Sequence, residues 1–131
     1  MIKKEIRDKE RQRYGHKPRE IYDKYAKQRF YTLKARAKRK NEILFFAARE
    51  FEIWFLSQPL LCHYCGVKLV KETSLKGQSP FDLTVDRRDN NIGYKIGNLV
   101  LACKRCNLVK NDVFTEQEMM EIAIKYKLKD R

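Results

Sequence analysis

No run in this 131-residue chain approaches the ~18 consecutive apolar residues of a membrane-spanning helix. The opening residues, Met1-Ile2-Lys3-Lys4-Glu5-Ile6-Arg7, carry charge and no apolar core, so no secretory signal is expected and a cytoplasmic location is the default. There is no low-complexity segment. Cysteine is scarce, with four residues in all, and histidine scarcer, with two. That supply is too thin, and the setting too reducing, for a disulfide-built secreted scaffold. Acidic residues are outnumbered, 17 Asp and Glu against 30 Lys and Arg, for a formal net charge of +13. A chain of this length can bury only a modest core, so a metal or a partner subunit is expected to help hold it. The hydrophobic share of 43% is nevertheless enough for globular folding.

The charge is unevenly placed. Residues 1–40 hold 16 Lys or Arg and 5 Asp or Glu, a net of +11, while residues 41–131 hold 14 and 12, a net of +2. A concentrated basic segment is the usual footprint of a protein that binds a phosphate backbone. An anionic membrane surface would accept the same charge. A solvated helix face is the plainer alternative, but so lopsided a charge is hard to explain by solubility alone.

Residues 1–18 read as a basic arm ending near Gly15 and Pro18, and residues 19–40 as a helix. Ile21, Tyr25, Phe30 with Tyr31, and Leu33 give that helix a rough apolar stripe. Lys24, Lys27, Arg29, Lys34, Arg36, Lys38 and Arg39 fill the remainder; Lys34, Arg36, Lys38 and Arg39 are the candidate phosphate contacts. Residues 43–46 could be a short strand or a helix start. Residues 47–57 look helical up to Pro59, with Phe51, Trp54 and Phe55 at core spacing and Trp54 expected as the main core aromatic. After a polar loop from Glu72 to Ser79, Leu83-Thr84-Val85 reads as a strand ending at Asp86, and residues 98–102 as a second strand. A last helix should start at Thr115, whose cap is supported by Glu118 three residues on. Met119, Ile122, Ala123 and Tyr126 are its expected buried face.

The four cysteines fall in two Cys-x-x-Cys pairs, Cys62 with Cys65 and Cys103 with Cys106. Two-residue spacing places both sulfurs on one side of a tight turn, ready for a tetrahedral ion. A redox site would need only one pair. A structural Zn²⁺ held by all four thiolates is therefore expected. Its shell would be closed, so it would hold the fold and take no part in chemistry. His63, inside the first knuckle, is expected to point outward as an ordinary knuckle residue, and His16 has no partner suggested by the sequence.

Between the knuckles lies Leu83-Thr84-Val85-Asp86-Arg87-Arg88-Asp89-Asn90-Asn91-Ile92-Gly93-Tyr94-Lys95-Ile96-Gly97-Asn98-Leu99-Val100-Leu101-Ala102, followed by Cys103-Lys104-Arg105-Cys106-Asn107. This segment resembles the HNH, or ββα-metal, nuclease family: two knuckles, a strand ending in Asp, a central Asn, a second strand and a helix opening on Cys-Asn. The resemblance is close over residues 61–114. It implies that Asp86 and Asn107 hold a catalytic Mg²⁺ or Mn²⁺, since hard cations take oxygen ligands. It also implies that Asn98 braces the loop. One position departs from the common pattern. The family's general base is His, and here it is Arg87, which stays protonated and can only bind and neutralise a phosphate. A subgroup that includes PacI-like rare-cutting restriction enzymes shares the Asp-Arg form with Gly-Tyr a few residues on, as in Asp86-Arg87 and Gly93-Tyr94. There the tyrosine takes over the initiating role. A phenol of pKa ~10 is mostly protonated at neutral pH, but nearby positive charge would favour phenolate. Tyr94 is thus open as nucleophile, as base or as a packing residue. Arg88, Lys104, Arg105 and Lys110 are candidate phosphate contacts, with solvated surface the equal alternative for the last three.

The expected fold class is α+β: a zinc-stapled ββα-metal nuclease core over residues 41–131, with a basic helical extension over residues 1–40. The expected function is a metal-dependent DNA endonuclease of restriction or phage type, acting on double-stranded DNA in a bacterial cell or phage-infected host, with no membrane partner. HNH modules of this size often act as dimers in restriction enzymes, which allows for a homodimer, though no interface is legible. The alternative is a non-catalytic zinc-dependent DNA- or RNA-binding module, for which Arg87 in place of His is the best support. A ribosome-associated RNA-binding zinc protein would leave the metal frame between the knuckles a coincidence.

Overall fold

The computed structural model describes residues 19–70 and 79–130. The basic arm, His16, the Ile21 side chain and the loop over residues 72–78 lie outside the described residues. The elements in chain order are α1 (Arg19–Arg39), α2 (Ala48–Ser57), β1 (Leu83–Arg87), β2 (Leu99–Cys103), α3 (Lys104–Lys110) and α4 (Glu116–Lys125), with short 3-10 turns at Ile96–Asn98 and Leu128–Asp130. None of the described helices is long and apolar enough to cross a membrane.

The chain divides into two compact units. One is Met1–Pro59 with Gly93–Gly97; the other is Leu60–Ile92 with Asn98–Arg131. In the first unit α1 and α2 share an aromatic core. Ala26, Phe30, Leu33 and Ala37 recur at helical spacing and are all buried, while Lys27, Lys34 and Lys38 stay exposed. Phe30 meets Phe51 at 6.1 Å and Phe46 at 6.2 Å between ring centroids. Phe46 stacks on Phe51 at 5.6 Å, and Tyr25 meets Phe55 at 5.9 Å. Phe51 and Phe55 are the centre of this core, at 0% and 1% exposed. Trp54, expected there, is only half-buried: it touches Phe51 from the rim, and its helical position faces partly outward.

Residues 43–46 form no continuous strand or helix. Leu44 makes an isolated parallel bridge to Tyr94, and the Phe45 N–H donates to the Tyr94 carbonyl at 2.9 Å. Gly93 permits this approach: a Cβ there would lie 3.1 Å from the Phe45 ring and 3.3 Å from the Ile43 carbonyl oxygen.

In the other unit β1 and β2 pair antiparallel, with Leu83 opposite Cys103 and Arg87 opposite Leu99. Every residue of β2 is buried. The knuckle is attached to this hairpin by the His63 N–H, which donates to the Leu101 carbonyl at 2.8 Å. The capping box at Thr115 is present: Glu118 N–H donates to Thr115 Oγ1 at 3.1 Å, and Thr115 N–H to Glu118 Oε1 at 2.9 Å. Met119 and Ala123 are buried, Ile122 is half-buried, and Tyr126 is exposed because α4 ends there. Leu128, in the following turn, takes the buried position instead.

Truncating Phe51 removes the ring on which the two helices meet. Phe51→Ala should cost about 3–5 kcal/mol in urea denaturation followed by circular dichroism, and Trp54→Ala distinctly less. Equal costs would contradict this division of the core.

Candidate functional site

The four cysteines are free thiols that converge from separate elements. Cys62 and Cys65 flank a tight turn closed by the Gly66 N–H donating to the Cys62 carbonyl at 2.9 Å. Gly66 has φ +78, a left-handed conformation that suits glycine. Cys103 ends β2 and caps α3, its sulfur accepting from the Cys106 N–H at 3.4 Å. The Cys65 N–H points likewise at the Cys62 sulfur at 3.5 Å. All four sulfurs lie within 4.8 Å of one another. Zn–S bonds of about 2.3 Å would set tetrahedral sulfurs about 3.8 Å apart, so the cluster fits such an ion. The Cys65 and Cys103 sulfurs are already at 3.9 Å. Hydrogen bonds from Cys103 and Cys106 hold the Cys62 thiol far below its ordinary value, while the Cys103 and Cys62 sulfurs push Cys106 far above it. Without a cation the cluster can tolerate little negative charge, which is the position a metal relieves.

Asp86 and Asn107 are set over one face of β1. Alternation places Thr84 and Asp86 on that face, and Leu83, Val85 and Arg87 on the other. From α3, the Asn107 amide nitrogen donates to Thr84 Oγ1 at 3.0 Å, and the Thr84 hydroxyl donates to the Ala102 carbonyl at 2.8 Å. One helical turn on, the Lys110 ammonium reaches Asp86 Oδ2 at 3.3 Å, the Arg87 carbonyl at 2.9 Å and Asn90 Oδ1 at 3.1 Å. The Tyr64 hydroxyl donates to the same Asp86 Oδ2 at 2.6 Å. Burial, and then the Asp86 carboxylate, push the Tyr64 phenol far above its ordinary pKa, so it remains a donor. With Oδ2 filled by two partners and the Asn107 nitrogen engaged, the oxygens left for a cation are Asp86 Oδ1 and Asn107 Oδ1. Two oxygen donors suit a hard divalent cation that keeps waters and substrate oxygens as its other ligands.

Asn98 is 6% exposed, and its amide is fully used. Its Oδ1 accepts from the Asp89 N–H at 2.9 Å; its nitrogen donates to the Asp89 and Ile92 carbonyls at 3.0 and 3.1 Å. It braces the loop. Arg87 is half-buried at the end of β1. Tyr94 belongs to the unit of α1 and α2 and is 3% exposed.

Several candidate phosphate contacts have other tasks. Lys110 is not on the surface: it is 0% exposed, its ammonium hydrogen-bonded to the Arg87 carbonyl and Asn90 Oδ1 and ion-paired with Asp86. Arg105 donates to the Leu128 carbonyl at 3.2 Å and lies 5.5 Å over the Phe81 ring. Arg88 donates to Glu116 Oε2 at 2.8 Å. His63 does not point freely outward; it shares that oxygen at 2.6 Å. Partial burial opposes ionisation of Glu116, but Arg88 and His63 outweigh it and hold its carboxyl below the usual value. Beside this cluster a cavity of about 360 Å³ is lined by Asp89, Asp112 and Glu116 against the single cation Arg88, a balance unsuited to a phosphate. Lys104 is half-buried on α3, whereas Lys34, Lys38 and Arg39 are exposed on α1 and Arg36 is half-buried. Tyr64 and Lys110, as partners of Asp86, escaped the sequence reading. The three-residue step from Asn107 to Lys110 put them on one helix face and was the available signal; nothing in sequence linked Tyr64 to a residue 22 positions away.

The four-thiolate set favours zinc. One zinc per chain is expected by elemental analysis. Chelation, or Cys106→Ser, should raise amide hydrogen exchange in residues 60–70 and 98–110 well before residues 25–57. Exchange unchanged on metal removal would contradict a structural ion.

No protein-family model matches the chain, and no curated protein matches it significantly. Among solved structures it is similar to the rare-cutting HNH restriction endonuclease PacI, whose structure describes a mechanism of DNA perturbation. The TM-score is 0.62 and the identity 29%, over 74% of this chain and 72% of that one. The chain thus has an HNH-like fold, with a small antiparallel sheet, flanking helices and a cysteine cluster able to hold a metal, and the likeness points to a nuclease-type hydrolase.

Proposed function

We propose that this chain is a metal-dependent DNA endonuclease of restriction or phage type that hydrolyses phosphodiester bonds in double-stranded DNA. The observation that carries the reading is the placement of Asp86 and Asn107 over one face of β1, each with an oxygen left over, in an HNH-like fold. Cys106 and Asn107 are adjacent, so a Zn²⁺ on the four thiolates would fix where the Asn107 amide points. Asp86 and Asn107 would hold Mg²⁺ or Mn²⁺, which supplies polarisation of the phosphate and stabilisation of the leaving 3′ oxygen. Arg87 binds the scissile phosphate and neutralises charge that builds on it. Asn98 holds the loop between the strands. On α1, Lys34, Arg36, Lys38 and Arg39 contact the DNA backbone without reading bases.

Tyr94 is the initiating group that the family resemblance implies. Its exposure of 3% weighs toward packing instead. That burial, with Arg87 where a base is usual, also favours a second reading, a zinc-dependent nucleic-acid-binding module without catalysis.

The purified chain should nick or cut supercoiled plasmid or phage DNA in Mg²⁺ or Mn²⁺, and Asn107→Ala should lower the rate by about a hundredfold or more. Loss of cleavage in Tyr94→Phe would assign the phenol a chemical role; full activity would leave it a packing residue. Tight DNA binding with no cleavage in any divalent metal would favour the binding module. Replacing Lys34 and Lys38 by Gln should reduce the slope of log affinity against log salt by about 2. An unchanged slope would remove α1 from the DNA interface.

A further inference from the structure

Lys110 is a cation placed where a metal-binding carboxylate would ordinarily be left uncompensated. Its ammonium lies 3.3 Å from Asp86 Oδ2, in a residue that is 0% exposed against a carboxylate residue that is 8% exposed. It cannot swing away, because the same nitrogen holds the Arg87 carbonyl and Asn90 Oδ1. The other side chains bonded to Asp86 and Thr84 add no charge: the Asn107 amide is neutral, and the Tyr64 hydroxyl donates to Asp86. Asp89, three residues further along the chain, accepts from the Asn91 N–H, and Glu116 is tied to Arg88 and His63. In the free protein the contacting set of Asp86, Lys110, Tyr64 and Asn107 therefore carries no net charge.

A divalent cation gains most from a site whose ligands bring negative charge, and a nearby unit charge in a poorly solvated region changes that attraction strongly. Resting on the nuclease reading of Asp86 and Asn107, we propose that Lys110 makes the site a poor cation binder until a DNA phosphate supplies the missing negative charge. Metal loading is then coupled to substrate binding. Lys110 is a positioning and charge-compensating residue, distinct from any group that touches the reacting phosphate. Coupling of this kind is reciprocal, so the cation must tighten DNA binding by the same factor by which DNA tightens cation binding.

The test is Mn²⁺ binding to the zinc-loaded full chain, read from the electron paramagnetic resonance signal of free Mn²⁺. It is done with and without a phosphorothioate form of the DNA that the protein cleaves. Binding that vanishes in Asp86→Asn identifies the site. In the wild type this binding should tighten about tenfold or more on adding DNA. In Lys110→Met it should already be about tenfold tighter without DNA, and the further gain from DNA should shrink. Any surplus charge on the sulfur cluster is common to all these proteins, so the comparison isolates Lys110. Equal Mn²⁺ affinity in wild type and a folded, zinc-replete Lys110→Met would overturn the proposal while leaving the nuclease reading intact. If Lys110→Met fails to fold, the wild type against Asp86→Asn carries the test, and Asp86-dependent affinity unchanged by DNA is the overturning result. Absence of any Asp86-dependent binding, with or without DNA, would sink the metal-site reading itself and this inference with it.

Discussion

Four sulfur atoms gathered within 4.8 Å are the constraint on which the C-terminal unit depends. Two come from a turn stabilised by Gly66, one from the end of β2 and one from the first turn of α3. A two-stranded sheet has little stability alone, and this one has only five residue pairs between its strands. Joining the knuckle to the strand–helix junction supplies what a short hydrophobic core cannot. It also explains why α3, a helix of only seven residues, can be ordered: its N-terminus is capped by a cysteine that is itself held. Asn107 inherits its position from that junction.

Around Asp86 the fold accepts a more expensive arrangement. Burying an ammonium and a carboxylate is costly, and such a pair is weak evidence for stability even when well bonded. Here the ammonium makes two hydrogen bonds and an ion pair, and one carboxylate oxygen takes two partners. The network joins β1, the loop after it, α3 and the knuckle through a single pair of charges. An apolar substitute could fill the volume but could not hold a backbone carbonyl, a side-chain amide and a carboxylate at once. The network thus specifies where the end of β1 lies.

What sequence revealed and what it hid divide along physical lines. The cysteine pairs, the Thr115–Glu118 cap and the stripe through Tyr25, Phe30 and Leu33 were legible because each depends on residues a few positions apart. Asn98 was legible as a brace through the family resemblance, and its three hydrogen bonds are local to the loop. Lys110 misled because lysine is seldom buried without a partner, and its partner lies 24 positions back in the chain. Trp54 misled because size suggests burial, whereas its position on α2 gives the centre to Phe51. Charge along α1 marks a surface, while its packing against α2 rests on apolar residues spaced along the helix. Arg88 and Arg105 read as phosphate contacts and His63 as outward-pointing because nothing local names Glu116, Phe81 or Leu128 as their partners.

The short stretch Gly93–Gly97 carries a consequence for how such proteins can be recombined. It lies in the loop between the two strands, yet it packs with the unit of α1 and α2, where Tyr94 bridges to Leu44. That unit is therefore discontinuous in sequence. A crossover at Pro59 that exchanged the basic N-terminal half for another would separate Leu44 and Phe45 from the segment they pair with. Gly93, which leaves room for the Phe45 ring, would be stranded in the other parent. Inheritance of the basic helix is then tied to inheritance of the interstrand loop, and the two should be exchanged together or not at all.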